Sequence, residues 1–127
     1  MKKVLIIDDD PLITAVYEKH FRADGFAVRV ANGGRAGIDA VHEFRPDAVL
    51  LDLNMPDVSG VQWLVDIRKD PRFARLPVVV FTAAAINWQV WAANNSDVSF
   101  MFKERTAPGE VVKAVKDALG ILEEERA

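Results

Sequence analysis

Residues able to do chemistry gather at a few points of the chain, each at the end of an apolar run. Val4 to Ile7 (VLII) ends in Asp8, Asp9 and Asp10; Ala48 to Leu51 (AVLL) ends in Asp52. Val78 to Phe81 (VVVF) ends in Thr82, and Val98 to Phe102 (VSFMF) ends in Lys103. Two carboxylates 4 Å apart repel by about 1 to 4 kcal/mol, depending on how much water surrounds them, so acidic residues massed behind a buried run need a compensating partner. A hard divalent cation is such a partner, because Mg²⁺ takes one or two carboxylates together with waters and phosphoryl oxygens. A carboxylate can also attack phosphorus and become an aspartyl phosphate. The cation would then neutralise charge on the transferring group, while a lysine ammonium and a hydroxyl take its remaining oxygens. Asp52, alone behind its run, is the candidate nucleophile; Asp8 and Asp9 are candidate metal ligands, with Thr82 and Lys103 completing the set. Asp10 by itself reads equally as a cap for the helix that follows.

Such a set converges only if the four runs are neighbouring strands pointing the same way. Apolar residues at helical spacing (Leu12, Ile13, Val16, Tyr17, His20, Phe21) follow Pro11, which suits a first helical turn. Gly25 stops that helix, and residues 27–31 read as a second strand. After the turn Asn32-Gly33-Gly34, residues Ile38, Val41 and Phe44 mark a helix ending before Pro46. The loop from Asn54 to Gly60 leads to a helix carrying Val61, Leu64, Val65 and Arg68. Residues 83–95 predict an alanine-rich helix, with Ile86 and Val90 on one side and Trp88 and Trp91 on another. A closing helix runs from Pro108 to about Glu124, with Val111, Val112, Val115, Leu119 and Leu122 on its inner stripe. Five short apolar strands alternating with helices predict an α/β fold, a parallel sheet covered on both faces with right-handed crossovers. In such sheets ligands bind beyond the carboxyl ends of the strands, where the strand order reverses.

The totals narrow the function. A chain of 127 residues fits one domain, 1–127. With no cysteine, disulfide frameworks, thiolate metal sites and cysteine nucleophiles are excluded. The net charge of -3, without a basic run, argues against a direct nucleic-acid surface. The apolar start is four residues long, too short for a signal core or a membrane span, so a cytoplasmic location without membrane attachment is expected.

Taken together, VLIIDDDP, PDAVLLDLNMPDVSG, VVVFTA and the aromatic Phe100 three places before Lys103 resemble the receiver domain of bacterial two-component response regulators. The resemblance runs from Lys3 to about Leu122, and its motifs are specific in combination, above all LLDLNMPDVSG. It implies a flavodoxin-like (βα)5 three-layer sandwich with strand order 2-1-3-4-5. It implies that Asp52 accepts a phosphoryl group from a histidine kinase or a histidine phosphotransfer protein, in a reaction needing Mg²⁺, with Mn²⁺ as an alternative. By the same resemblance Asp9 binds the metal directly, Asp8 mainly through water, and Asn54 through its backbone carbonyl. Thr82 and Lys103 contact the phosphoryl group. Thr82 and Phe100 form a switch that remodels the surface made by the 83–95 helix, the fifth strand and the closing helix, for a downstream protein target. The only catalysis implied is self-directed: phosphoryl uptake and later hydrolysis.

The chain departs from that family in two places. A proline usually follows the lysine, joined by a cis bond; here the residue is Glu104, where a cis bond costs about 2.5 to 4 kcal/mol, so a trans bond is expected. The two stripes of the 83–95 helix cannot both face one sheet, which makes Trp88 and Trp91 either core residues or an exposed surface for a partner or a homodimer. His20 and His42 have no paired ligand at metal spacing and read as surface or boundary residues. Two other functions remain open on sequence. One is a metal-dependent phosphohydrolase, although Asn54 stands where such enzymes place a general acid and there is no room for a cap. The other is a constitutive interaction module that has lost phosphorylation. A flavin-binding protein fits poorly, because the acidic first turn would repel a phosphate-bearing cofactor.

Overall fold

The strand–helix alternation is seen over the residues that the structure, a computed structural model, describes: 1–83, 97–103 and 106–120. Strands β1 (Lys3–Ile7), β2 (Ala27–Ala31), β3 (Ala48–Leu51), β4 (Val78–Thr82) and β5 (Val98–Phe102) form one parallel sheet in the order β2-β1-β3-β4-β5. Helices α1 (Pro11–Ala23), α2 (Gly34–Phe44), α3 (Gly60–Arg68) and α4 (Pro108–Ala118) cover it, and a short 3₁₀ turn, Pro71–Phe73, precedes β4. This is the flavodoxin-like three-layer arrangement expected from the resemblance.

Why the central strands are apolar throughout is visible in how their side chains divide. Successive residues of a strand point to opposite faces, and both faces here are buried. Val4, Ile6, Ala48, Leu50, Val79 and Phe81 pack with Tyr17 and Phe21 of α1 and with Val111, Val112 and Val115 of α4. Leu5, Ile7, Val49, Leu51, Val78 and Val80 pack with Val41 of α2 and with Trp63, Leu64 and Ile67 of α3. Each valine, leucine, isoleucine or phenylalanine among them adds roughly 1.5 to 3 kcal/mol on burial. A one-residue slip of any central strand would exchange the two sets, so register is tightly specified. It is this register that sets the strand ends level.

Apolar spacing locates these helices without saying which of their apolar residues are covered. Leu12 and Val16 of α1 are exposed, at 78% and 43%, while Thr14, Tyr17 and Phe21 face inward. In α3 the inner stripe is Trp63, Leu64 and Ile67, and Val65 faces solvent. Gly37 lets α2 approach closely: a Cβ there would lie 2.8 Å from Ile7 Cδ1 and 3.1 Å from Trp63 Nε1. His20 and His42 are exposed, as expected. No helix among the described residues is long and apolar enough to cross a membrane. The 83–95 helix with Trp88 and Trp91, the Lys103–Glu104 bond and Leu122 lie outside the described residues.

Candidate functional site

β1 and β3 are neighbours in register, Ile7 beside Leu51, so the residues that follow them, Asp8 and Asp52, emerge side by side. Their backbones continue the sheet for one more step. The Asp8 amide donates to Ala31 O at 3.1 Å and the Asp52 amide to Ile7 O at 2.9 Å. Both carboxylates are nearly sealed from water, Asp8 at 3% and Asp52 at 5% exposure, whereas Asp9 is exposed. One oxygen from each of the three lies within 4.8 Å of the others. This acidic knot sits at the switch point, where the order turns from β2-β1 to β3-β4.

Lys103 reaches the knot from the end of β5. Its Nζ donates to Asp8 Oδ2 at 2.9 Å and lies 3.5 Å from Asp52 Oδ2. Burial raises the Asp8 carboxyl above the ordinary 3.8; the Lys103 and Asp10 hydrogen bonds pull against it, and the Asp52 charge adds to the rise. Burial also works to lower Lys103, yet the hydrogen bond and charge of Asp8, with those of Asp52, outweigh it and hold the ammonium above its usual value. The two partners of one ion pair therefore shift the same way, because burial of Asp8 outweighs its bond to Lys103 while Lys103 gains from both carboxylates. The knot is electrostatically unfinished. Its donors are all oxygens, two buried and one open to solvent, a set that suits a hard cation retaining water.

Thr82 ends β4 at 1% exposure, and its register partner Phe102 immediately precedes Lys103. Phe100, opposite Val80, is half-buried against the cluster on the α2 and α3 face. Asn54 is exposed, and its amide donates to Asp52 Oδ1 at 3.3 Å. Asp10 turns away from the knot. Its side chain accepts from the Leu12 and Ile13 amides, which makes it the α1 cap.

The loop after Asp52 is held more firmly than its sequence suggests. Gly60 N donates to Leu53 O at 2.9 Å, closing the loop at its base. A Cβ at Gly60 would stand 2.4 Å from Asp52 O and 2.7 Å from Leu53 Cα, contacts with backbone that no rotamer change relieves. Gly60→Ala is therefore expected to cost about 1 to 3 kcal/mol of stability, measured by urea unfolding, and to displace the Asp52 backbone. At the tip, Asp57 accepts from the Gly34 amide (3.1 Å, Oδ1) and the Arg35 amide (3.0 Å, Oδ2), with the Arg35 bond the first reason its carboxyl is held below the usual range. The motif reading passed over Asp57. A signal existed, since α2 opens on Gly33 and Gly34 and its own N-cap supplies no side-chain acceptor.

Residues 4–116 match the response regulator receiver domain family. DNA-binding response regulator MtrA of Mycolicibacterium smegmatis is 31% identical over 126 residues, which is 99% of this chain and 54% of the relative. The chain thus spans about half the length of that protein. A putative response regulator from Chloroflexus aurantiacus superposes with a TM-score of 0.84 at 27% identity, covering 94% of this chain and 98% of the other. The receiver domain of a sensor histidine kinase from Pseudomonas aeruginosa, solved with a magnesium ion coordinated in its active site cleft, superposes with a TM-score of 0.81 at 22% identity, over 94% and 98% of the two chains.

Proposed function

We propose, for a chain that belongs to the response regulator receiver domain family and so to the phosphoacceptor signalling domains of two-component systems, that Asp52 is the acceptor. The donor is a phosphohistidine on a histidine kinase or phosphotransfer protein. An Asp52 carboxylate oxygen bonds to phosphorus as the P–N bond breaks, and the imidazole leaves with a proton. Lys103, poised between Asp8 and Asp52, turns its ammonium onto a phosphoryl oxygen, and the Thr82 hydroxyl takes another. Asp8, Asp9, Asp52 and the Asn54 carbonyl would hold Mg²⁺, with Mn²⁺ fitting the same donors. When bound, the cation neutralises charge on the transferring group. Attack of water on the aspartyl phosphate later restores Asp52, so the chain catalyses only its own cycle. Movement of Thr82 towards the phosphoryl group frees space for Phe100, and the changed surface binds a protein target.

The single observation that carries this reading is the meeting of Asp52 with Asp8, Asp9 and Lys103 at the carboxyl ends of β1, β3 and β5. Its test is incubation with a small-molecule phosphodonor, with and without Mg²⁺. The expected result is one Mg²⁺-dependent phosphoryl group on Asp52 by peptide mass spectrometry. A label on another residue, or many turnovers of a generic phosphate ester, refutes the proposal, and the latter outcome favours a phosphohydrolase.

A further inference from the structure

The bond from Asp57 to α2 ties the acceptor loop to a helix that contributes nothing else to the phosphoryl chemistry. Helix α2 starts on Gly33 and Gly34 with its first amides turned towards the loop, and no side chain of its own N-cap meets them. The Asp57 carboxylate fills that role from across the fold, one oxygen to each of two amides. The backbone of the same loop is seated on α2 as well: a Cβ at Gly34 would stand 2.4 Å from Val58 O. With the Leu53–Gly60 bond at its base, the six-residue stretch 54–59 is pinned at both base and tip. Asn54, the proposed carbonyl ligand, lies between these two anchors.

We propose that Asp57 is a positioning residue for the metal site: its cap on α2 fixes the backbone on which Asn54 presents its carbonyl, and so sets the affinity for Mg²⁺. This rests on the function proposed above. A loop held in its binding conformation does not have to be ordered when the cation arrives, so the cap lowers the cost of binding. Coupling of this kind is reciprocal. If the cap favours the cation, the cation must strengthen the cap by the same factor.

The test compares wild type, Asp57→Ala and Asp57→Asn by calorimetric Mg²⁺ titration below the unfolding range of every protein, together with hydrogen exchange at the Gly34 and Arg35 amides. Asp57→Ala is expected to raise the Mg²⁺ dissociation constant about fivefold or more. Asp57→Asn keeps one acceptor oxygen and is expected to fall between, and it serves alone if the alanine variant does not fold. Mg²⁺ should slow exchange at Gly34 and Arg35 in wild type but not in the alanine variant. A cap that merely stabilises the fold would lower the melting temperature and leave both readouts unmoved. Repeating the titration at high salt separates positioning from plain attraction by the Asp57 charge, which is screened there. Unchanged affinity in the variants, exchange indifferent to Mg²⁺, or an effect that vanishes at high salt overturns the proposal. If wild type itself takes up no Mg²⁺, the proposed function fails instead.

Discussion

Asp52→Asn loses phosphoryl uptake altogether and keeps its fold. The amide has no anionic oxygen to attack phosphorus, and every other carboxylate of the knot is engaged differently: Asp8 by Lys103 and the Asp10 amide, Asp9 in the open. Label should therefore not move to a neighbour. Stability is expected to change by less than the roughly 3 to 5 kcal/mol of a buried pair broken from one side, because two effects oppose. The variant gives up the 3.5 Å approach to Lys103, but it also relieves the repulsion between Asp52 and Asp8. Asp8 should accordingly ionise more readily than in wild type, although burial, the larger cause of its raised value, remains. Phosphate incorporation, a urea melt and a carbon-detected NMR titration of Asp8 check the three parts. A destabilised variant that still takes label at another carboxylate would show that Asp52 is structural.

Lys103→Met separates the roles of the knot in another way. The lysine side chain is 18% exposed and compensates two carboxylates that are 4% and 5% exposed. Breaking a buried ion pair from one side costs about 3 to 5 kcal/mol, and the lower end applies because the Lys103 side chain retains 18% of its exposure. Phosphoryl uptake should slow roughly a hundredfold, the usual loss for one preorganised donor to a developing charge. Mg²⁺ binding should move in the opposite direction and tighten, since the remaining carboxylates have lost their competing cation. Added Mg²⁺ would then restore more stability to the variant than to wild type, by mass action on the folded state. Thermal melts with and without Mg²⁺ measure this. Weaker Mg²⁺ binding in the variant would mean that Lys103 shapes the site rather than balancing its charge.

Much of this site was legible in the sequence because strand ends are legible. Apolar runs of four or five residues bounded by aspartate, threonine and lysine placed β1, β3, β4 and β5 almost to the residue, and a parallel sheet brings such ends together without further information. Helix faces were harder. Leu12 and Val65 share the helical spacing of buried neighbours yet are exposed, because apolar periodicity alone does not say which apolar residues the neighbouring layer covers. Asp57 escaped notice for a different reason. Its partners are backbone amides 22 and 23 residues away, and no local pattern around it announces a cap made across the fold. What hinted at it was an omission elsewhere, the glycine opening of α2.

On the function proposed above, the packed carboxylates of Asp8, Asp9 and Asp52 persist because they take up a divalent cation that readies Asp52 for phosphoryl transfer. Calorimetric titration of Mg²⁺ into wild type and Asp9→Asn is the decisive measurement, because Asp9 is the one solvent-open member and its substitution leaves the buried pair in place. Saturable uptake of a single ion by wild type at millimolar Mg²⁺, greatly weakened in Asp9→Asn, is the predicted result. Absence of uptake by wild type, or equal uptake by the two proteins, would contradict it.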